Sequence, residues 1–585
     1  MRSGHNRMAS SPLVPHPTSV TGSVAPGAAW TASPPTAVIG NAAGASSALP
    51  PPPPGRRPRR HVIAMVSDFF YPGFGGVEIH IYNLALCLMR RQHKVVVITR
   101  AYGDRNGVRY LTHGLKVYHL PFVGVRLPPG TVTLPTVFGS FPLLRNIFIR
   151  EGVTIVHGHQ TTSNLCHEAM LHGGTMGLKV CFTDHSLFGF ADAASIHINK
   201  VLLWSLRCVD QVICVSNTSR ENTVLRAHIP PHRVSVIPNA TDTSIFTPPD
   251  SLKYKTWAMM KLPYITIVVV TRLVYRKGSD LFVDVIPTVC KKYPNVRWII
   301  GGDGPRRQQL ALMIDRHHLG ERVQMLGELK HADVKHVLNQ GQIFLICSLT
   351  EAFCIAIIEA ASCGLIPVST RVGGVPEVLP SPELLLLAEP EPNSICKALD
   401  AAIARVPTTS PWDIHDNVRR MYAWPWVAER TERVYDRICE EQAVLPAGAT
   451  SDESGVHGDL SAAASTSHGD EGAATAAHVT ATASSSPSAS SLPRDAQPST
   501  ARSFWTLLLT PNSALKQRLL RYRGVGSVFT IICICISAMD FLVWCLLEWY
   551  EPASEIELAV DFPAEHFVIN KDKLLSHRTP PGSQR

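Results

Sequence analysis

The chain has 585 residues, more than a single hydrophobic core usually organises, so we expect at least two domains and additional segments. Its formal net charge is +9, and six arginines lie in the first 61 residues, which contain no Asp or Glu. Because the rest of the chain is nearly neutral, the composition argues against a nucleic-acid-binding protein. The 14 cysteines occur singly in apolar segments, which predicts reduced buried thiols and no zinc site.

Residues 1–60 are rich in Pro, Ala and Ser, a composition that predicts a disordered tail. An acid-poor N-terminus that contains arginine is also typical of organellar transit peptides, so that alternative stays open. The segment lacks the apolar core that a secretory signal needs.

The first domain, predicted over residues 61–240, begins with a strand, VIAMVSDFF, a glycine loop, YPGFGGVE, and an amphipathic helix. A second strand, KVVVIT, follows, and this order is typical of a doubly wound α/β domain. The loop that contains Gly75 and Gly76 lacks the GxGxxG spacing, and no acidic residue ends the second strand. The pattern therefore argues against a nicotinamide or flavin site, although such a loop suits a phosphate or a sugar.

Two later strands of this domain end in polar side chains. His157 and His159 end one strand, and Asp184 and His185 end the next. In open α/β sheets the ligand crevice lies beyond the carboxyl ends of the strands. We expect these residues to line a shared cleft, although a lone histidine in such a position is usually an ordinary loop residue.

A second α/β domain is predicted over residues 241–405, followed by a terminal helix over 406–440 that packs back on the body. The strand in YITIVVVTRLVYRKG places Arg272 and Lys277 just beyond its carboxyl end. These residues could be solvated surface charges, but their position in the predicted crevice favours diphosphate binding.

Two carboxylates mark the next βαβ unit, IFLICSLTEAFCIAIIEAASCGLIPVSTRVGGVPEV, whose helix is predicted from about residue 352 to 362. Glu351 at the helix entrance could be only a cap. Glu359 lies within an apolar helix, where an ionised carboxylate needs a polar partner. A sugar or ribose hydroxyl would be such a partner, so the pair predicts a nucleotide-sugar site.

The C-terminal part is predicted to attach the chain to a membrane. Residues 441–502 contain no aromatic side chain and predict a disordered linker, and 503–525 form a basic interfacial segment. Residues 526–547 are long and apolar enough to span a bilayer, and 548–585 form an acidic tail. The positive-inside rule places the large N-terminal part in the cytosol and the tail across the membrane. Asp540 within the span suggests a partner helix.

Two doubly wound domains with a cleft between them resemble the GT-B glycosyltransferases. Glu351 and Glu359, with TRLVYRKG, resemble the retaining Glu-x7-Glu type, family 4. The stretches SDFFYPGFGGVE, FTDHSLFGFAD, ICVSNTSRENTVLRA and SLTEAFCIAIIEAASCGL resemble the catalytic subunits of phosphatidylinositol N-acetylglucosaminyltransferases. This resemblance covers roughly residues 62–440 and includes the C-terminal span.

The resemblance implies transfer of N-acetylglucosamine from UDP-N-acetylglucosamine to phosphatidylinositol, the first step of glycosylphosphatidylinositol (GPI) anchor synthesis. It implies a single-pass protein of the endoplasmic reticulum membrane, with the catalytic part cytosolic, the tail lumenal and other membrane subunits as partners. No metal or cofactor is expected. The implied catalytic residues are Glu351, Arg272, Lys277 and His185, and the implied donor-binding residues are Gly75, Gly76, Gly302, Phe353 and Glu359.

Two alternatives remain open from the sequence. A mannosyl- or glucosyltransferase of the same architecture could act on another lipid, since only the extended resemblance argues against it. A non-catalytic scaffold of a membrane complex would be expected to have lost the charged cleft residues, and all four are present.

The chain also carries two glycosylation sequons, at Asn217 and Asn239. If the catalytic part is cytosolic, neither asparagine should carry a glycan. Digestion with an N-glycosidase would then leave the electrophoretic mobility of the chain unchanged, and a shift would overturn the predicted orientation.

Overall fold

The computed structural model describes residues 60–440, 520, 522 and 527–560, except residues 74, 123, 128–129, 190–192 and 261–262. The predicted tail (1–60, apart from Arg60), the linker (441–502) and most of the basic segment (503–525) lie outside these residues. Those assignments stay predictions, as do the domain boundaries.

The N-terminal sheet has eight strands, and a separate hairpin lies beside it in sequence. The sheet strands are β1 (Val62–Val66), β2 (Lys94–Arg100), β3 (Gly107–Tyr110), β4 (Lys116–Leu120), β7 (Ile155–His159), β8 (Lys179–Asp184), β9 (Gln211–Cys214) and β10 (Val234–Val236). The hairpin pairs β5 (Gly124–Leu127) with β6 (Gly130–Thr133). The sheet order is β10-β9-β8-β7-β1-β2-β4-β3, and only the β3–β4 pair is antiparallel. The parallel strands are nearly continuous apolar runs because helices cover both faces.

Five helices connect these strands: α1 (Gly76–Arg90), α2 (Phe141–Glu151), α3 (Asn164–Thr175), α4 (Ala193–Ser205) and α5 (Asn217–Ala227). Leu144 and Phe148 of α2 and Leu165 of α3 bury themselves in one core cluster with the central strands. Cys166 of α3 and Leu202 of α4 share a second cluster with β8 and β9. Helices α2, α3 and α4 therefore form a layer on one face of the sheet.

The C-terminal sheet has six strands, all parallel, in the order β13-β12-β11-β14-β15-β16. The strands are β11 (Ile265–Val270), β12 (Val296–Gly301), β13 (Val323–Gly327), β14 (Ile343–Ile346), β15 (Ile366–Thr370) and β16 (Leu386–Ala388). The helices are α6 (Phe282–Lys292), α7 (Arg307–Arg316), α8 (His331–Leu338), α9 (Ile355–Ser362), α10 (Val375–Val378) and α11 (Pro392–Arg405). The predicted pair of doubly wound α/β units is confirmed.

Helix α9 begins at Ile355, about three residues later than predicted from the sequence. Glu351 therefore lies in the loop between β14 and the helix and is not its cap, which is Cys354. The helix ends where predicted, before Gly364 in the left-handed conformation (φ 85°).

Two helices, α12 (Pro411–Met421) and α13 (Trp424–Glu440), replace the single terminal helix expected from the sequence. Helix α13 packs against α1 of the N-terminal half. Nε2 of His61 lies 2.7 Å from Asp436, and Nε2 of His93 lies 3.1 Å from Glu432. The chain thus returns from the second sheet to the first and ties the two together.

The last helix, α14 (Ser527–Tyr550), covers the predicted membrane span. Among the described residues it is the one helix long and apolar enough to cross a membrane. Its contacts with the N-terminal half are described below.

Gly278 lies where two strand ends of the second sheet meet, and a side chain there should be costly. Its φ is 68°, and an added Cβ would lie 1.7 Å from the carbonyl oxygen of Cys347, the residue after β14. We expect Gly278→Ala to lower the free energy of unfolding by at least about 2 kcal/mol. Thermal unfolding of the detergent-solubilised chain would measure the effect. Gly320→Ala, where an added Cβ meets no atom within 4 Å, is the control, and equal melting temperatures would contradict the expectation.

Candidate active site

Loops at the carboxyl ends of strands from both sheets face one another, as open parallel sheets predict. The loop after β1 reaches the start of α9, since a Cβ added at Gly76 would lie 3.3 Å from Cδ1 of Ile355. The loop after β15 reaches the N-terminal half, where a Cβ at Gly374 would lie 2.6 Å from Oγ of Ser216. These close approaches bound a cleft between the sheets.

Glu377, at the start of the second sheet's helix α10, bridges this cleft. Its carboxylate accepts hydrogen bonds from the backbone N–H groups of Asn217 (2.6 Å) and Thr218 (2.8 Å), at the start of α5. A carboxylate at a helix N-terminus satisfies unpaired amides and interacts favourably with the helix dipole. The interdomain contact is therefore a helix cap supplied in trans by the other domain.

Lys277 and Glu351, predicted from two different strand ends, form an ion pair in this cleft. Oγ of Ser348 also donates to Glu351, at 2.8 Å. The lysine and glutamate side chains are only 18% and 13% exposed, so the pair is largely shielded from solvent. An ammonium group has three N–H donors, and the glutamate occupies one of them. Two donors can therefore serve a ligand.

Arg272 lies in the same region, with its side chain open to solvent. Partial desolvation and the nearby charge of Arg276 lower its pKa, while Glu351 and Glu78 act in the opposite direction. An arginine stays protonated despite such shifts. The electrostatic contact with Glu78, which lies in the first turn of α1, couples the two halves of the cleft.

Glu359 finds a protein partner, His331 at the start of α8, with 3.4 Å between Oε1 and Nε2. The hydrogen bond to Glu359 raises the pKa of His331, and burial partly offsets the increase. The carboxylate of Glu359 remains 12% exposed, so a ligand hydroxyl can still reach it.

His185 lies at the N-terminal wall with two other histidines. Its Nε2 is 3.3 Å from Nδ1 of His159, and its ring is 4.6 Å from that of His80. Burial, reinforced by the neighbouring imidazoles, lowers the pKa of His185 and of His159 well below the usual range. Burial also lowers the pKa of His80 to about 4. All three rings are therefore neutral at physiological pH and offer hydrogen bonds without charge.

The expectation that His157 and Asp184 line the same cleft is wrong. His157 is fully buried and bonds to Tyr435 and Thr183, each at 2.7 Å. Asp184 is buried as well and pairs with Arg226 at 2.7 Å. Both side chains point into the core because neighbouring elements supply polar partners there, which the strand sequence alone does not reveal.

The same three histidines, His80, His159 and His185, are the described residues best placed to hold a metal ion, because a ligand nitrogen from each lies within 4.8 Å of the others. Within the described part of the chain, Nε2 of His159 is buried without a hydrogen-bond partner. Neutral imidazole is the form that binds metals. The sequence did not point to this possibility because its three members come from separate elements.

The remaining predicted donor residues have structural roles of their own. A Cβ at Gly302 (φ 134°) would lie 1.8 Å from the carbonyl oxygen of Thr271, so the backbone demands glycine. Phe353 is buried, with its ring 5.7 Å from that of Tyr422. Gly75 precedes α1 and lies close to the carboxylate of Glu78.

Sequence reasoning missed four residues of this region, namely Glu78, His80, His331 and Glu377. Glu78 and His80 follow the glycine loop directly, and Glu377 follows Gly373-Gly374, so proximity to a glycine loop was an available signal. Nothing in the local sequence marks His331, since its contact with Glu359 depends on the packing of α8 against α9.

Comparison with known proteins first identifies the class. A family model described as Glycosyl transferases group 1 matches residues 261–408. Sucrose-phosphate synthase from Thermosynechococcus elongatus superposes with a TM-score of 0.51 at 19% identity, covering 65% of this chain and 100% of that one. A glycosyltransferase from Rickettsia africae gives a TM-score of 0.51 at 16% identity, covering 65% and 99%. At this identity the likeness shows the fold, and with the family model it defines a GT-B glycosyltransferase.

A second family model, described as PIGA (GPI anchor biosynthesis), matches residues 100–192. The phosphatidylinositol N-acetylglucosaminyltransferase subunit of Arabidopsis thaliana that bears this name is 55% identical over 66% of this chain and 85% of that protein. The corresponding Homo sapiens protein is 54% identical over 67% and 78%, and the gpi3 subunit of Schizosaccharomyces pombe is 43% identical over 87% and 94%. The chain belongs to this family of phosphatidylinositol N-acetylglucosaminyltransferase subunits, which confirms the resemblance seen in the sequence.

The contact between His331 and Glu359 should make stability depend on pH. Because the pKa of His331 is raised in the folded state, the pair stabilises the fold fully below the unfolded pKa of about 6.5. That contribution is lost as the pH rises through the folded pKa. Glu359→Gln should therefore lower the melting temperature more at about pH 5.5 than at about pH 8.5. Glu321→Gln, at an exposed position, is the control, and a Glu359→Gln effect independent of pH would contradict the assignment.

Proposed function

We propose that this chain transfers N-acetylglucosamine from UDP-N-acetylglucosamine to an inositol hydroxyl of phosphatidylinositol, beginning GPI-anchor synthesis. The observation that carries the proposal is the similarity to named transferase subunits, which extends over 85% of the Arabidopsis relative. The cleft supports it, because it brings Lys277 and Glu351 together beside neutral hydrogen-bonding histidines.

The donor diphosphate would bind at the C-terminal wall. Lys277 would use its two remaining N–H donors for phosphate oxygens while it stays paired with Glu351. Arg272 is exposed at the end of β11 and would contact the same oxygens. Both cations would stabilise negative charge as it grows on the departing diphosphate, which is where preorganised charge lowers a barrier most.

The nucleoside and sugar would extend along the loops of the second sheet. Glu359 would accept hydrogen bonds from the ribose, with its carboxylate oriented by His331. Glu351 and the backbone near Phe353 would contact the sugar hydroxyls. Gly302 would let the backbone after β12 approach the donor closely, in addition to its packing role.

The N-terminal wall would hold the reacting sugar and the acceptor. Gly75 and Gly76 would let the loop before α1 close on the donor, and His185 would lie near the sugar. Because the pKa of His185 is lowered by burial and by neighbouring histidines, the ring would act as a neutral hydrogen-bonding group. We propose that the acceptor attacks the face that the leaving group departs from, so that the anomeric configuration is retained.

We propose that the reaction needs no metal ion. Two cationic side chains already lie where the diphosphate would leave, and they can supply the charge that a divalent cation provides in other transferases. The three histidines that could hold a metal lie at the other wall, on elements of the N-terminal sheet.

The chain is proposed to work within a multi-subunit membrane complex at the endoplasmic reticulum, with its cleft in the cytosol. The relatives are named as subunits of a transferase, and α14 is consistent with membrane association. Phosphatidylinositol and a soluble nucleotide sugar would then meet at the membrane surface.

A transfer assay tests the proposal. Microsomes from cells that lack the endogenous activity would receive the full chain, labelled UDP-N-acetylglucosamine and phosphatidylinositol. We expect labelled glycolipid from the wild type and about a 10²–10³-fold lower rate from Lys277→Ala or Glu351→Gln, as for other groups that stabilise developing charge. Lys291→Ala, on the exposed end of α6, should transfer at the wild-type rate.

Two results would contradict the proposal. No product from the wild type with this donor, but product with another nucleotide sugar, would assign a different transferase. Unchanged rates in both cleft variants would move the active site elsewhere or make the chain a scaffold.

The metal-free mechanism makes a separate prediction. Pretreatment of the microsomes with a chelator, followed by its removal, should leave the transfer rate within about twofold of the untreated value, because side chains supply the charge. Loss of activity that returns on addition of zinc or manganese would overturn it and would direct attention to His80, His159 and His185.

A further inference from the structure

Helix α14 contacts the N-terminal domain at three points along its length. The first is near its start, where the hydroxyl of Tyr522 lies 2.8 Å from Sγ of Cys208. Cys533 of α14 is buried in the same small cluster. The chain therefore meets the end of α4 just as the helix begins.

The second contact is at the middle of the helix and is polar. Asp540 is completely buried, and its Oδ1 lies 2.7 Å from Nδ1 of His172 on α3. The hydroxyl of Thr175, one turn further along α3, donates to the other carboxylate oxygen. Asp540 thus has its partners within this chain, whereas the sequence suggested a helix of another protein.

The third contact is at the far end. Arg145 of α2, only 1% exposed, donates to Glu548 at 2.8 Å and to the carbonyl oxygen of Glu551 at 2.7 Å. At 1.5 Å per residue, α14 is about 36 Å long. The three contacts therefore attach it to α4, α3 and α2 over most of that length.

The opposite face of α14 is exposed and apolar. Its members recur at intervals of three and four residues, which places them on one side of a helix. They are Ile531, Ile532, Met539, Leu542, Leu546 and Trp549. A stripe of this kind is uncommon on a water-exposed surface, and the aromatic residue at its end is typical of the interface between hydrocarbon and water.

The two faces together fix the rotation of the helix. An ionisable group in the centre of a membrane helix costs about 2.5–3.5 kcal/mol on insertion scales, and a buried partner removes much of that cost. With Asp540 turned towards His172, the apolar stripe must face away from the domain. The only solvent that suits this outward face is lipid.

We propose that α14 is a docking element that holds the N-terminal domain directly against the bilayer. Asp540, with His172 and Thr175, is its central anchor, and the outward stripe contacts acyl chains. The domain and the helix then move as one body, and the cleft keeps a fixed orientation towards lipid acceptors. The inference rests on the proposed function in that the acceptor is a membrane lipid, but the packing itself can be tested without activity.

Cross-linking tests the packing. The full chain would carry Thr175→Cys and Asp540→Cys and a protease site within residues 441–502, expressed in microsomes. Oxidation followed by cleavage should leave the two fragments joined on a non-reducing gel. The matched control, Lys291→Cys with Asp540→Cys, should separate, as should the chain with its native cysteines alone. Fragments that separate in every variant would overturn the proposal.

A fluorophore on Leu546→Cys tests the lipid contact in the same membranes. Quenching by lipids brominated on their acyl chains, together with no quenching of a label on Gly320→Cys, would support the proposal. A cross-linked helix whose label is not quenched would mean that another protein covers the stripe, which would overturn the assignment to lipid.

A functional test separates this inference from the proposed function. Asp540→Leu removes the anchor but keeps the helix apolar. Transfer to phosphatidylinositol in vesicles should fall about tenfold or more, while transfer to a short-chain, water-soluble analogue should stay within about twofold. Equal effects on both acceptors would refute positioning by α14. A wild type inactive on both acceptors would refute the proposed function instead, and the cross-link would still decide the packing.

Discussion

The cleft depends on one electrostatic contact between the two sheets. Glu377 gives its carboxylate to the first amides of α5, on the other side of the cleft. A helix N-terminus attracts an anion through unpaired N–H groups and the helix dipole together. Because Glu377 follows Gly373-Gly374 closely, the loop after β15 is held beside the other strand ends. The relative placement of both walls follows from this contact and from the return of α13 onto α1.

The two walls that result differ in electrical character. The C-terminal wall carries ionised groups, the Lys277–Glu351 pair and Arg272, which suits a charged diphosphate. The N-terminal wall presents imidazoles whose burial lowers their pKa, so that they stay neutral over the physiological range. Uncharged hydroxyls bind well to such groups, and no counterion has to be displaced. The division of labour between donor and acceptor therefore follows from burial on one side and ion pairing on the other.

The sequence predicted most of the parallel strands and the ion-bearing loops, because these depend on local periodicity and on the ends of apolar runs. It could not predict contacts made between distant elements. The partner of Glu359 is a histidine 28 residues earlier, and the partners of Asp540 lie more than 360 residues away. The antiparallel strand β3 and the hairpin β5–β6 were missed because they are short and lack strong alternation. His157 was misplaced because a strand end can turn inward when a residue such as Tyr435 supplies a polar partner there.

The two glycosylation sequons acquire a different meaning once the chain is folded. Nδ2 of Asn217, the atom to which a glycan would be attached, donates to Glu377 at 2.9 Å in the interdomain contact. Asn239 is only 4% exposed, and its side chain is bonded to His80. An oligosaccharyltransferase could modify either residue only before folding, and the sugar would then keep the two sheets apart or open the histidine wall. A native, active chain must therefore be unglycosylated at both sites in any compartment, and an empty sequon carries no information about topology.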